Sequence, residues 1–160
     1  MGCGYPLLLK KAKIMSQVIV PIGSDHAGFA LKEELKDYLI SCGFQVKDFG
    51  CYSPESIDYP DFAHPVANYV ETHDGVLGVL ICGSGNGINM AANKHQGIRS
   101  ALCWQKEIAK LARQHNNVNI VALPARFISS DEALLIIDSF LNTLFEGGRH
   151  QIRVDKIACV

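Results

Sequence analysis

Gly78-Val79-Leu80-Ile81-Cys82-Gly83-Ser84-Gly85-Asn86-Gly87-Ile88-Asn89-Met90-Ala91-Ala92 is the stretch on which the reading of this chain turns. Its apolar run is short and uninterrupted, the pattern of a strand buried on both faces in a parallel sheet. Three glycines at alternate positions follow the cysteine, and a helix-forming segment follows them. Glycines there let the backbone turn tightly and bring main-chain N–H groups close to a ligand. A helix starting at the same place points the positive end of its dipole at that spot. Cys82 is therefore expected at the carboxyl end of a central strand, where open α/β sheets bind ligands.

Outward from this stretch, strands and helices alternate. Residues 18–22 predict a first strand, made awkward by Pro21, which cannot donate to a central ladder. A helix over 27–42 carries the stripe Leu31, Leu35, Tyr38, Leu39 and Cys42 and ends at Gly43. Further strands are expected at 44–49, 76–82, 98–103 and 118–123, with helices over about 61–72, up to about 94, and through 104–116. The helix before Asn116 is read with Trp104, Ile108, Leu111, Ala112 and His115 on one face. Ser129-Ser130-Asp131-Glu132 is a capping box opening a helix striped by Ala133, Ile136, Ile137, Phe140, Leu141 and Leu144, stopped at Gly147-Gly148. Residues 149–157 read as a basic helical tail. This order predicts a doubly wound, three-layer α/β/α domain on a five-stranded parallel, Rossmann-like sheet.

The totals bound the function. A chain of 160 residues, 48% apolar and 19% charged, suits one globular domain with its own core. A net charge of −1 gives no electrostatic reason to expect nucleic acid or an anionic membrane as partner. No run approaches the roughly 18 apolar residues of a membrane span. The cysteines (3, 42, 51, 82, 103, 159) form no C-x-x-C pair, and the histidines (26, 64, 73, 95, 115, 150) show no H-x-H, H-x-x-x-H or H-E-x-x-H spacing. No metal site is expected on that pattern. The thiols are read as reduced and the protein as cytoplasmic. Residues 1–14 are read as an N-terminal extension, native or not, with an apolar core of Leu7 to Leu9 too short for a signal peptide. Residues 15–160 are then the single domain with its C-terminal tail.

The glycine loop fits none of the common phosphate motifs. A dinucleotide fingerprint needs a glycine where Ile88 stands, a P-loop needs Gly-Lys-Ser/Thr, and a cysteine phosphatase needs an arginine, again at Ile88. What remains is a thiol beside a nest of N–H groups that contains the Ser84 hydroxyl. A strand-end cysteine is commonly plain core packing; the nest and helix terminus favour a chemical role, because both lower a thiol's pKa. Asp25-His26 falls on the same sheet edge, where Asp25 reads either as a helix N-cap or as a pocket residue. His115 closes a helix, so it either satisfies the last carbonyls or acts as a general acid/base beside Asn116. Arg126, Arg149 and Arg153 read singly as solvated. Arg149 and Arg153, four apart, share a helical face, and their forks suit a phosphate.

With these residues in place, the chain closely resembles the type B ribose-5-phosphate isomerases, the family that also contains galactose-6-phosphate isomerase subunits. The matching segments are Gly23-Ser24-Asp25-His26-Ala27-Gly28-Phe29, Asp58-Tyr59-Pro60, Cys82-Gly83-Ser84-Gly85-Asn86-Gly87, Ala91-Ala92-Asn93-Lys94 with Gly97-Ile98-Arg99, Arg113-Gln114-His115-Asn116 and Glu146-Gly147-Gly148-Arg149-His150-Gln151. The resemblance implies interconversion of ribose 5-phosphate and ribulose 5-phosphate without metal or organic cofactor. By it, Asp25 and His115 open the furanose ring, and Cys82 moves the proton between C2 and C1. Ser84 and the N–H groups of Gly83, Ser84, Gly85, Asn86 and Gly87 hold the enediolate. His26, Arg149 and Arg153, with Arg126, hold the phosphate; Asn116 and Tyr59 contact the sugar. It also implies sites shared between subunits of a homodimer or homotetramer. Ser84 and Asn89 depart from the family's usual threonine and serine. Two other readings stay open: a hexose-6-phosphate isomerase acting on allose or galactose 6-phosphate, and a non-catalytic phosphate-binding module.

Overall fold

The computed structural model describes residues 18–158, so the expected extension over 1–14 lies outside the described residues. The strands are β1 (Ile19–Ser24), β2 (Gln45–Asp48), β3 (Gly78–Cys82), β4 (Ser100–Leu102) and β5 (Ile120–Pro124). The helices are α1 (Phe29–Ser41), α2 (Pro60–Thr72), α3 (Asn86–Ala92), α4 (Lys106–Asn116), α5 (Ser130–Asn142) and α6 (Arg149–Val154), with a short 3₁₀ turn at His26–Gly28. The five strands form one parallel sheet in the order β2-β1-β3-β5-β4. The expected architecture is the one observed.

Alternation along β3 distributes its side chains between two cores. Val79 and Ile81 join α1, α4 and α5 on one face, around Leu35, Leu39, Ile136, Ile137 and Phe140. Leu80 and Cys82 face α2 and α3, among Ala63, Val66, Ala67, Ile88 and Ala92. Every residue of β3 and β5 is buried, as the continuous apolar runs require. Burying one such Leu or Ile side chain is worth about 1.5–3 kcal/mol, so these two strands anchor the fold.

Pro21 turns out to cost no ladder bond. The Ile22 carbonyl faces β2, where it accepts from the Phe49 N–H at 2.8 Å, so the adjoining residue faces β3. Pairing with β3 starts only at Ile22↔Val79, one residue beyond the missing donor.

Three local readings need correction. In α4 the buried side is Ala109, Ala112 and Arg113, whereas Trp104 and Leu111 are each 48% exposed. Arg113 is inside because its guanidinium caps three acceptors: Thr143 O, Val118 O and Asn117 Oδ1. The capping box of α5 forms as expected, with reciprocal Ser129 and Glu132 bonds, but the helix ends at Asn142 rather than at Gly147-Gly148. Its continuation docks on α4 instead: the Thr143 carbonyl takes the Arg113 bond and the Glu146 N–H donates to Gln114 O at 3.0 Å. The tail helix stops at Val154, short of the expected Ile157.

Candidate active site

The chain crosses from β1 outward to β2 and returns to β3 on the other side of β1, so the sheet's switch point lies between the carboxyl ends of β1 and β3. Open α/β sheets form their ligand crevices there. From β1 come Asp25 and His26; from β3 come Cys82 and the glycine turn.

Asp25 is 8% exposed. Its N–H donates to Ile81 O at 3.1 Å and its Oδ1 accepts the Gly28 N–H at 3.0 Å, so the carboxylate caps the 3₁₀ turn and also stands beside Cys82. The N-cap reading of this residue therefore holds. His26 Nδ1 accepts the Ile57 N–H at 3.3 Å. That bond ties the exposed loop 52–59 to the sheet edge and leaves Nε2 as the proton-bearing nitrogen of the neutral ring.

The turn after Cys82 has one residue that only glycine can supply. Gly85 has φ +75°, and a Cβ there would run into Leu102 Cδ1 while meeting the Leu123 and Pro124 backbone at 3.3 Å. Gly87 matters by proximity: a Cβ would lie 2.6 Å from the Tyr59 ring, so the absence of a side chain lets that ring sit over the start of α3. Ser84 Oγ accepts the Asn86 N–H at 3.3 Å. The Ile88, Gly85 and Ser84 amides point at the Cys82 sulfur.

The balance at that sulfur differs from the expectation. Cys82 is 4% exposed. Burial pushes its thiol above the ordinary range, the Asp25 charge adds to this, and the three amides offset only part of it. Burial and the Asp25 charge thus oppose formation of the thiolate, an effect the sequence does not display, while the amides that it does display favour it.

Arg126 belongs to this group. Its N–H donates to Gly83 O at 3.0 Å, and its side chain lies across the turn, 3.3 Å from where a Gly83 Cβ would stand. One copy of the chain thus brings together Asp25, His26, Tyr59, Cys82, Gly83, Ser84, Gly85, Asn86, Gly87 and Arg126.

His115, Asn116, Arg149 and Arg153 lie elsewhere. Helix α4 runs back from the carboxyl edge, and β5 starts at Ile120 just after it, so His115 sits at the amino edge of the sheet. Five residues of strand, four steps of ~3.3 Å, separate the two edges by about 13 Å. Helix α6 packs on the end of α4 through stacked His115 and His150 rings, 4.2 Å apart and 9° from parallel. Glu146 Oε2 lies 3.9 Å from His115 Nε2 and 3.6 Å from His150 Nε2. Burial, His115 and Arg149 hold the His150 ring below the ordinary imidazole range. The expected site residues do not include Glu146 and His150, whose four-residue spacing is the sequence signal for their meeting beside His115. A cleft of about 770 Å³ also opens at the amino edge, between Val20, Val76, Arg99 and Asn119, and none of the expected site residues lines it.

Among the described residues, Cys42, Cys51, Cys82 and Cys103 are free thiols, and no helix is long and apolar enough to cross a membrane.

The sequence model of the Ribose/Galactose Isomerase family matches residues 20–157. Ribose-5-phosphate isomerase B of Escherichia coli K12 is 43% identical over 141 residues, covering 88% of this chain and 95% of the relative. The crystal structure of a ribose 5-phosphate isomerase from Thermotoga maritima superposes with a TM-score of 0.87 at 49% identity, covering 90% and 99% of the two chains. That of ribose-5-phosphate isomerase B from Mycoplasma genitalium, with bound ribulose-5-phosphate, gives 0.85 at 46% identity, covering 88% and 94%. With a match over nearly its whole described length, this chain belongs to the Ribose/Galactose Isomerase family.

Proposed function

We propose that this protein interconverts ribose 5-phosphate and ribulose 5-phosphate, using Cys82 as the carbon base in a site shared between two copies. The observation that carries this reading is a buried sulfur at the end of the central strand, faced by three main-chain amides and adjoining the Asp25 carboxylate. The likeness to a relative solved with ribulose-5-phosphate supports the choice of a pentose phosphate.

The chemistry follows from those groups. Ring opening needs a proton taken from the anomeric hydroxyl and one given to the ring oxygen, roles that suit Asp25 and His115. The Cys82 sulfur, once deprotonated, removes the C2 proton. The C–H electron pair forms the C1=C2 bond, and the C1 carbonyl electrons move onto oxygen. Amides of the 83–87 turn and the Ser84 hydroxyl stabilise that oxyanion. The thiol returns its proton to C1 while the O2 proton passes to the C1 oxyanion, which leaves the C2 ketone and the C1 hydroxyl. Electrons balance without a redox partner, so no cofactor enters the scheme.

Asp25 and His115 occupy opposite sheet edges, so no single copy can place both on one sugar. A homodimer, alone or paired into a tetramer, solves this when each copy lends its His115, Asn116, Arg149 and Arg153 to its partner's Cys82 pocket. His26, Arg126 and the lent arginines then hold the phosphate, with Tyr59 and Asn116 on the sugar. Free thiols and a phosphorylated sugar substrate fit a single cytoplasmic domain over 15–160.

The test is to incubate the protein with ribose 5-phosphate in deuterated water. Ribulose 5-phosphate carrying deuterium at C1 is expected. Failure to convert it, with turnover of allose or galactose 6-phosphate instead, would reject the pentose assignment; binding without turnover of any sugar phosphate would reject the isomerase.

A further inference from the structure

The side chains of His115, Glu146 and His150 bring one ligand atom each to within 4.8 Å of one another. The arrangement is built by the fold. The Glu146 N–H donates to Gln114 O at 3.0 Å, pinning the carboxylate beside the end of α4, and the His150 N–H donates to Gly147 O at 3.0 Å. The near-parallel stack of the two rings turns both Nε2 atoms toward the same Glu146 oxygen. His150 is buried, Glu146 exposed and His115 between them, so the cluster is anchored on one side and open on the other.

Two imidazoles and one carboxylate form a donor set suited to zinc and similar transition ions, with a fourth position left for water. Tetrahedral bonds of ~2.0–2.1 Å place ligand atoms roughly 3.3–3.4 Å apart. The observed 3.6 and 3.9 Å separations to Glu146 are close to that, and one imidazole must rotate out of the stack so that both in-plane Nε2 lone pairs meet the same ion. A hard oxygen-seeking ion such as magnesium has too few oxygen ligands here.

We infer that His115, Glu146 and His150 form a transition-metal site, and that zinc bound there reversibly inhibits the enzyme by taking the His115 nitrogen. The inhibition, though not the binding, rests on the role given to His115 above. The site differs from a cofactor site in sign: occupancy lowers activity and chelation restores it.

The experiment measures binding first, in the Cys82→Ala protein, so that the active-site thiol does not compete. Titration with zinc is followed by calorimetry and titration with cobalt(II) by its visible spectrum. One ion per chain is expected, with cobalt bands of nitrogen and oxygen ligation and no thiolate charge-transfer band. Glu146→Gln in the same background should weaken binding at least tenfold, and His150→Gln, checked for folding by circular dichroism, should do likewise. Unchanged affinity in a folded Glu146→Gln protein, or a thiolate band, would overturn the site. Inhibition is then read in the Cys82-containing protein, where zinc should lower turnover and a chelator recover it, with Glu146→Gln at least tenfold less sensitive. Binding without inhibition of an active enzyme would overturn the inhibitory claim, whereas binding by a protein that turns over no sugar phosphate would refute the proposed function and leave the metal site standing.

Discussion

Replacing Gly85 by alanine tests how the turn under the sulfur is built. The residue has φ +75°, so any side chain takes on the left-handed penalty, about 1–2 kcal/mol. The new methyl group collides with Leu102 Cδ1, a movable side-chain end, and on its other flank stands 3.3 Å from the Leu123 and Pro124 backbone, which cannot yield as freely. Overpacking of this kind costs about 1–3 kcal/mol. The lower chain entropy of alanine in the unfolded state returns roughly 0.4–1 kcal/mol. The net expectation is a destabilisation of about 2–3 kcal/mol, or roughly 4–12 °C in Tm for a domain of this size. Calorimetry at matched protein concentration reads it, since dissociation of an oligomer would otherwise shift the midpoint. A displacement of the amides by ~1 Å should also lower kcat about 100-fold. A Gly85→Ala protein within 0.5 kcal/mol of the parent and fully active would refute this account of the turn.

Other outcomes follow from neighbouring features. Gly87→Ala should leave Tm nearly unchanged, because the Tyr59 ring it displaces is 40% exposed on a surface loop, while raising KM for the sugar phosphate; an unaltered KM would remove Tyr59 from the site. Because the Cys82 thiol is held above its ordinary range, kcat/KM should climb about tenfold per pH unit between pH 7 and 9 as the thiolate fraction grows; a flat profile there would show that the sulfur ionises earlier. Lys32 has no exposed surface and binds Asp48 Oδ2 at 2.7 Å and Glu33 Oε1 at 2.6 Å. Lys32→Met should cost about 3 kcal/mol in urea unfolding, since it leaves Asp48 only Lys36 as a cation. Burial opposes ionisation of Asp48, and Lys32, Lys36 and the Gly50 amide more than overcome it, so its carboxyl titrates below the usual range. A carboxyl lowered in the folded state stabilises above the unfolded value of about 3.9 and loses that contribution as pH falls through the folded one. Acid sensitivity below pH 4 should therefore shrink in Lys32→Met.

The parts of this structure that the sequence revealed are those where one physical effect dominates. The run Val79 to Cys82 is apolar throughout, and nothing but a doubly covered strand buries it. Ser129 and Glu132 satisfy each other's groups locally, so the start of α5 is legible within four residues. Readings failed where a distant partner decides. Arg113 is buried because the Val118 carbonyl, just before β5, and the Thr143 carbonyl, at the end of α5, gather around it, and apolar periodicity cannot register that. Helix α5 ends early because the residues after Asn142 give their backbone groups to α4. At Cys82 the amides follow from the glycine spacing, while the larger opposing effect, burial with Asp25 alongside, exists only once β1 and β3 are adjacent. The separation of His115 from Cys82 is likewise a property of topology: His115 reads as a helix-end histidine, and only the direction of α4 places it at the sheet edge opposite its own chain's thiol.

The central claim is that the Cys82 sulfur carries hydrogen between C2 and C1, and Cys82→Ala followed in deuterated water tests it most directly. The account predicts a protein that still binds ribose 5-phosphate, yields ribulose 5-phosphate roughly 10²–10⁴-fold more slowly, and exchanges the C2 hydrogen no faster than it turns over. Isomerisation within tenfold of the parent rate, with deuterium still delivered to C1, would assign the proton transfer to another group and contradict it.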